Sequence, residues 1–408
     1  MPSKALPTTE RQRHVVLDAL RGFALLGICL ANMPEFSLWT FMTAEAQEAM
    51  PTASIDQVVR YWQYVLVDAK FYGIFSILFG IGFSIIIAHA RERGASGMRI
   101  FYRRMLILLC IALGHLLLLW SGDILVLYAL AGMLLPLVSR WSNRRLLTAA
   151  VALIMLPVGI DLWQECAGVS LSAPIVAAWW AKANSYGITE ANFASWLRDI
   201  DCYRGMHEFL MQGAIERMYE FVDGHRLLKV LGLFTLGYCI GRNKLYARLP
   251  EIRPMLGKAL GWGLAISLPT SMAYAWSATH GHPWGLTLHS LLYAVSATPM
   301  SIAYMAAISL WWLRHPDHAV LAMLAKPGRM ALTCYIMQSV AGIILFYGIA
   351  LGLGCSMGLA QVELVAIGVF ALETALSWLW LRHMLYGPLE WLWRMLTYKR
   401  WLSICKPR

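Results

Sequence analysis

The stretch Leu17 to Asn32, LDALRGFALLGICLAN, brings an aspartate and an arginine to the edge of an otherwise apolar run that ends on an asparagine. On an α-helix turning about 100° per residue, Asp18, Arg21, Leu25 and Asn32 fall within roughly 60° of one another, with Asn32 about 21 Å beyond Asp18. One face therefore carries all the polarity of the segment. An amide such as that of Asn32 can orient a substrate or stabilise a developing oxyanion, although it accepts no proton at neutral pH. Asp18 and Arg21 can equally form a plain ion pair at a membrane surface, the arginine reaching out to phosphate.

Other ionisable groups stand against apolar runs in the same way. Asp68 and Lys70 lie in VLVDAKFYGIFSILFGIGF, where a second run begins. His115 lies in LGHLLLLWSGDILVLYAL, eight residues before Asp123. A histidine and a carboxylate beside one tight turn can hold or pass a proton, because imidazole titrates near neutral pH, whereas a histidine bonded to a carbonyl would be structural. Asp161, Glu363 and Glu373 also sit in or beside apolar runs, where a charge costs about 2.5–3.5 kcal/mol on insertion scales and therefore pairs, faces the protein interior or lines a cavity. In RERGASGMRIFYRRMLILL, Arg99, Arg103 and Arg104 can grip phosphate groups, and the same cluster satisfies the preference for cations on the cytoplasmic side.

The elements that must position these groups are membrane spans. Of 408 residues 59% are hydrophobic and 14% charged, with a mean hydropathy of +0.57, whereas an ordinary soluble domain is about 25% charged. A span needs about 20 residues, and ten runs are read as spans: 16–34, 70–90, 105–121, 123–139, 146–163, 227–241, 256–278, 287–312, 330–351 and 362–382. With a cytoplasmic amino terminus, 26 of the 34 Lys and Arg residues fall on the inner side, Lys4, Arg11, Arg13, Arg93 and Arg408 among them. The expected fold class is thus an all-α polytopic membrane bundle of about ten transmembrane helices with both termini cytoplasmic. Its expected parts are a five-helix bundle over 1–163 bearing the site, an extracytoplasmic helical segment over 164–226, a second five-helix bundle over 227–382 and an interfacial helix and tail over 383–408.

The net charge of +11 follows from that loop bias. It needs no nucleic acid as partner, since anionic membrane lipids account for it. The polar first 13 residues and a span-length run without a small-residue cleavage site make the first span its own insertion signal. Eight cysteines show no metal-ligand spacing, and Cys166 and Cys202 share the outer segment, where they can pair. Gly80, Gly82, Gly257, Gly261, Gly354 and Gly358 read as close helix contacts. In YGPLEWLWRMLTYKRWL, Gly387-Pro388 is a turn before a short helix with Glu390 and Arg394 four residues apart, and its tryptophans suit a headgroup layer; such a helix can also cover a donor site.

Five stretches carry a resemblance: LDALRGFALLGICLAN, KFYGIFSILFGIGF, RRMLILLCIALGHLLLLWSGDILVLYALAG, GRMALTCYIMQSV and YGPLEWLWRMLTY. Together they resemble the YeiB-like bacterial membrane proteins, the domain-of-unknown-function family numbered 418, over nearly the whole chain. The first span is in turn similar to those of transmembrane acyltransferases of the heparan-alpha-glucosaminide acetyltransferase and acyltransferase-3 types. That likeness implies transfer of an acyl group from cytoplasmic acyl-CoA, as co-substrate and without a metal, to a hydroxyl or amine of a small molecule or glycan, in a bacterial inner membrane. It assigns Asp18 and Arg21 to the shared motif of the first span, Asp68 to the second span and Arg103 and Arg104 to the donor's phosphates. Asn32 stands where the acyltransferase-3 type has its histidine, so a base must come from elsewhere, with Glu35, His115 and Asp123 as candidates. The catalytic set is therefore Asp18, Arg21, Asn32, Asp68, His115 and Asp123, with the four residues Asp18, Arg21, Asn32 and Asp68 facing one chamber. A transporter or flippase for an anionic or acylated molecule, and a membrane scaffold, are the readings from other classes; a homodimer is left open.

Overall fold

A computed structural model describes residues 14–92, 94 and 96–406. Lys4, Arg11, Arg13, Arg93 and Arg408 of the charge count, and both chain ends, lie outside the described residues. The described chain is helical with no strand. In order the helices are α1 (Val15–Phe36), α2 (Ala44–Glu48), α3 (Ala53–Leu66), α4 (Lys70–Glu92), α5 (Gly97–Leu118) and α6 (Leu125–Leu134). Next come α7 (Asn143–Ala167), α8 (Ala173–Ser185), α9 (Phe193–Asp199), α10 (Tyr203–Asp223), α11 (Arg226–Arg242) and α12 (Arg253–Thr279). The chain finishes with α13 (Gly285–Arg314), α14 (Ala319–Arg329), α15 (Ala331–Phe346), α16 (Leu359–His383) and α17 (Pro388–Tyr398).

Each of the ten apolar runs contains a helix, but length and apolarity together select fewer spans. Among the described residues six helical stretches are long and apolar enough to cross a membrane: α1, the α3–α4 stretch, α5, α7, α13 and α16. A seventh is reached if α14 and α15, bent by 83° at their junction, count as one. The shortfall has physical causes. Helix α11 has 17 residues, Leu125–Val138 is a shorter apolar stretch, and Gly, Ser and Thr dilute the apolarity of α12. The outward faces are apolar, with Trp262, Leu364 and Leu372 at least 61% exposed, an arrangement that lipid, unlike water, tolerates over large areas.

Helix α1 runs through the centre of the bundle. It meets α14 backbone to backbone: a Cβ on Gly22 would lie 1.8 Å from the Leu324 carbonyl oxygen, and one on Gly328 would lie 1.8 Å from that of Asp18. Helices α4 and α11 cross in the same manner at Gly80 and Gly237, where a Cβ would sit 2.1 Å from Phe234 O and 2.0 Å from Ile77 O. Early and late helices therefore interlock. Gly354 and Gly358 are also tightly packed, but Gly82, Gly257 and Gly261 have no atom within 4 Å of where a Cβ would stand, so the close-contact expectation fails for those three.

Helices α8–α10 cover one end of the bundle. Tyr203 donates to Leu118 O at 2.8 Å, Arg217 to Ser121 O at 2.9 Å, and Ser172 to Asp223 at 2.9 Å. Cys166 and Cys202 are separate exposed thiols there. Helix α17 covers the opposite end, at the start of α1.

Candidate functional site

Two cavities enter the bundle from opposite ends of α1. The one at the α17 end has a volume of about 240 Å³ and bears four guanidinium groups, those of Arg21, Arg104, Arg329 and Arg394, with the Glu390 carboxylate. Its wall is otherwise mostly apolar, including Leu25, Phe75, Phe79, Gly82 and Leu108. The cavity at the α10 end has a volume of about 690 Å³ and a polar lining that includes Asn32, Glu35, Arg60, Asp68, Lys229 and His289. Ile28, Ile124 and Tyr335 line both, and form the wall at which the cavities meet.

The α17 cavity owes its charge to local breaks in helices. Arg21 sits beside the tight crossing at Gly22 and is oriented by Asp18, whose Oδ1 accepts its Nη1 at 2.8 Å. Arg329 ends α14, just before the 83° bend, where Pro327 lacks an N–H and α15 starts anew. The first N–H groups of a helix have no intrahelical partner, and here Glu390 supplies one from α17. Its Oε1 accepts Leu332 N at 2.7 Å and Thr333 N at 3.1 Å, and its Oε2 accepts the Thr333 hydroxyl at 2.6 Å. Burial nevertheless raises the Glu390 carboxyl above its usual range, the donors opposing that shift. The bend and α17 thus hold each other and together place Arg329 and Arg394 in one cavity.

The basic pair before the third expected span divides. The Arg104 guanidinium lies 3.6 Å from the centre of the Trp393 ring, whose Nε1 donates to Arg104 O at 2.9 Å, and it faces the cavity. Arg103 instead donates to Thr397 O at 2.9 Å, fastening α17 to α5, and lines neither cavity.

At the α10 end the chain between α3 and α4 turns sharply, with Ala69 at φ +64°, a conformation in which a residue bearing a Cβ is strained. That turn delivers Asp68 to the chamber, where Tyr274 donates to its Oδ2 at 2.9 Å. Lys70, wholly buried, donates to Tyr64 O at 2.6 Å. Asn32 lines the same chamber, and its side chain makes no hydrogen bond to other described residues. Arg217 stands 3.8 Å from Glu35 and also bonds Glu220. Next to them Glu216 on α10 is pushed up to about 8, chiefly by burial and then by the Glu220 carboxylate.

His115 and Asp123 meet at 2.7 Å, with neither side chain exposed. The second ring nitrogen of His115 is 2.9 Å from Ser339 Oγ, and the other Asp123 oxygen accepts Val126 N at 2.7 Å. Neither residue lines a cavity; the pair backs Tyr335, whose ring is 5.3 Å from that of His115. The residues of the expected single chamber are therefore distributed: Arg21 in one cavity, Asn32 and Asp68 in the other, and Asp18 behind Arg21. Of the further intramembrane acids, Asp161 is bonded by His225, Gln164 and Ser290, Glu363 by Gln63 and Glu373 by Gln338. Among the described residues no group of three His, Cys, Asp or Glu side chains is disposed to hold a metal ion.

Sequence reasoning did not single out Arg329, Lys229, His289 or Tyr335 for the site. A lysine inside the run at 227–241 and a histidine inside that at 287–312 carried a signal of the same kind as His115. Arg329 and Tyr335 had none, because only the bend between α14 and α15 turns them inward.

Residues 240–400 match the family described as "Protein of unknown function (DUF418)", a segment holding Arg329, Glu390 and Arg394 but not Asn32, Asp68 or Lys229. Beyond that segment the similarity is full-length. The chain is 27% identical to "Uncharacterized protein YxaH" of Bacillus subtilis (strain 168) over 414 aligned residues, covering 99% of both chains. It is 28% identical to an "Uncharacterized 39.9 kDa protein in amylase 3'region" of Bacillus acidopullulyticus, covering 97% of this chain and 96% of that one. With "Uncharacterized protein YeiB" of Escherichia coli (strain K12) it shares 27% identity over 95% of this chain and 96% of the relative. No solved structure matches it. The chain is thus similar to the DUF418 family over its carboxyl-terminal segment, and to the uncharacterised proteins YxaH and YeiB over nearly its full length.

Proposed function

We propose that this protein is a membrane-embedded acyltransferase, moving an acyl group from acyl-CoA on the α17 side, taken as cytoplasmic, to a hydroxyl or amine acceptor in the α10 chamber. The observation that carries this reading is the shape of the α17 cavity: four guanidinium groups lead into an apolar channel that ends at the wall of a polar chamber. Guanidinium groups bind the phosphates of a nucleotide-bearing donor, and hydrocarbon walls suit its acyl chain. In this reading the acceptor oxygen or nitrogen attacks the thioester carbonyl carbon near Ile28, Ile124 and Tyr335. The carbon–sulfur bond then breaks, and the departing CoA thiolate ends with the proton that the acceptor loses. Asn32 orients the acceptor or the carbonyl oxygen, and Asp68 or His289 accepts the proton, since an amide cannot.

The test is binding and turnover of labelled acyl-CoA by the full-length protein in lipid nanodiscs. Binding that falls at least about tenfold in Arg104→Ala and Arg394→Ala, as expected for loss of a charge-assisted contact, and turnover lost in Asn32→Ala with binding kept, support transfer. Absence of any acyl-CoA binding by folded protein overturns it. The wall of three side chains between two opposed cavities also fits a transporter that opens alternately to each side. Flux of an anionic or acylated solute into liposomes, without loss of thioester, would favour that second reading.

A further inference from the structure

The α10 chamber holds a lysine that no carboxylate contacts. Its acids are engaged: Asp68 by Tyr274, Asp223 by Ser172 and Glu35 by Arg217. Lys229 is not. Its side chain is 7% exposed, it has no carboxylate within 4 Å and no hydrogen bond to another described residue, and its ammonium lies 3.9 Å from the centre of the Tyr293 ring. The carboxylates of Asp161, Asp68 and Asp223 act on Lys229 only from beyond 4 Å; a buried ammonium without an anion in contact is costly, and a ring face offsets only part of that cost. His289 adds an independent sign. Its Nδ1 is buried without a hydrogen-bond partner, while its ring stands 4.3 Å from that of His282 and 5.1 Å from that of Tyr274. Arg226, 3.9 Å from Glu220, lines the same chamber. These donors come from α11, α13 and the turn before α13, so no single helix end accounts for them.

We infer that the α10 chamber binds a phosphate group, with Lys229 as its anchoring cation and His289 as a second donor. An ammonium, a guanidinium and two imidazoles around one space match an oxyanion with several acceptor oxygens, whereas an uncharged polyol would leave the lysine unmatched. The phosphate can belong to a small soluble molecule or to a lipid headgroup. As the identity of the acyl acceptor, it rests on the acyl-transfer reading; as a binding site, it does not.

The experiment uses the full-length protein in phosphatidylcholine nanodiscs and titrates inorganic phosphate calorimetrically; a second arm measures retention of phosphatidylglycerol added to the same discs. Saturable phosphate binding that weakens about tenfold or more in Lys229→Met and recovers in Lys229→Arg supports the site. Retention of phosphatidylglycerol with the same dependence on Lys229, and no phosphate binding, assigns it to a headgroup. His289→Phe serves if Lys229→Met does not fold, and is expected to weaken binding several-fold. Thermal melting followed by tryptophan fluorescence checks the fold of each variant. Binding of both probes unchanged by Lys229→Met or by His289→Phe, or no binding of either by folded protein, overturns the inference. Acyl-CoA turnover without anion binding overturns this proposal alone, and anion binding without acyl-CoA binding overturns acyl transfer alone.

Discussion

Replacing Gly22 by alanine adds one methyl group at the point where the α17 cavity is assembled. The new Cβ would lie 1.8 Å from the Leu324 carbonyl oxygen, whereas a relaxed carbon–oxygen contact is about 3.3 Å. Helices α1 and α14 must therefore part by about 1.5 Å locally, because the obstacle is backbone and cannot rotate away. Overpacking of a tight core costs about 1–3 kcal/mol, and a backbone obstacle puts this site near the upper figure. The displacement also moves Arg21 and Arg329 apart, since both flank the crossing. Thermal unfolding in detergent, followed by tryptophan fluorescence, should show Gly22→Ala melting several degrees below the parent, with weakened acyl-CoA binding in what remains folded. Gly82 is the control. It has no atom within 4 Å of its missing Cβ and lines the same cavity, so Gly82→Ala should melt like the parent, while Gly82→Leu should stay folded and lose acyl-CoA binding. Equal melting and binding in Gly22→Ala would refute the crossing, and undiminished binding in a folded Gly82→Leu would refute the channel.

Glu390→Ala removes three hydrogen bonds at the start of α15; at about 1–3 kcal/mol for buried groups left without partners, α17 should loosen, and limited proteolysis near residue 388 should accelerate. Asp123→Ala leaves His115 Nδ1 and Val126 N without their hydrogen-bond partner in a fully buried site and should destabilise the fold by about 1–3 kcal/mol for each group, measured as reduced yield and melting temperature, whereas a purely catalytic role would leave both unchanged. Glu216 is raised to about 8 in the folded protein against an ordinary value near 4.5; the folded state then holds a proton that the unfolded state has lost, so its contribution is full below about pH 4.5 and disappears as pH rises toward 8. Glu216→Gln should accordingly melt above the parent near pH 8 and alike near pH 4.5, and a constant difference across that range would refute the assignment.

The helices were legible because apolar runs in a polar-poor chain leave few alternatives: each run contains one. What the runs did not reveal is where the backbone breaks. The bend between α14 and α15 lies within a motif, GRMALTCYIMQSV, whose sequence reads as one span from 330 onward; only the packing of Gly328 on Asp18 and the carboxylate of Glu390 shows that a helix ends and another starts there. Arg103 and Arg104 are adjacent and alike in sequence, yet successive helical residues point about 100° apart, so one faces the cavity and the other binds α17. Asp18 to Asn32 did share a helix, but the wall of Ile28, Ile124 and Tyr335 comes from three separate elements. No periodicity in α1 could show that the polar stripe would be divided between two cavities.

The most direct test of the account is a map of the full-length protein in nanodiscs with a non-hydrolysable acyl-CoA analogue bound. The account predicts density for the diphosphate among Arg21, Arg104, Arg329 and Arg394, with the acyl chain running past Leu25, Phe79 and Leu108 to end at Tyr335. An analogue bound elsewhere while that cavity stands closed, or absent at saturating concentration, would contradict it.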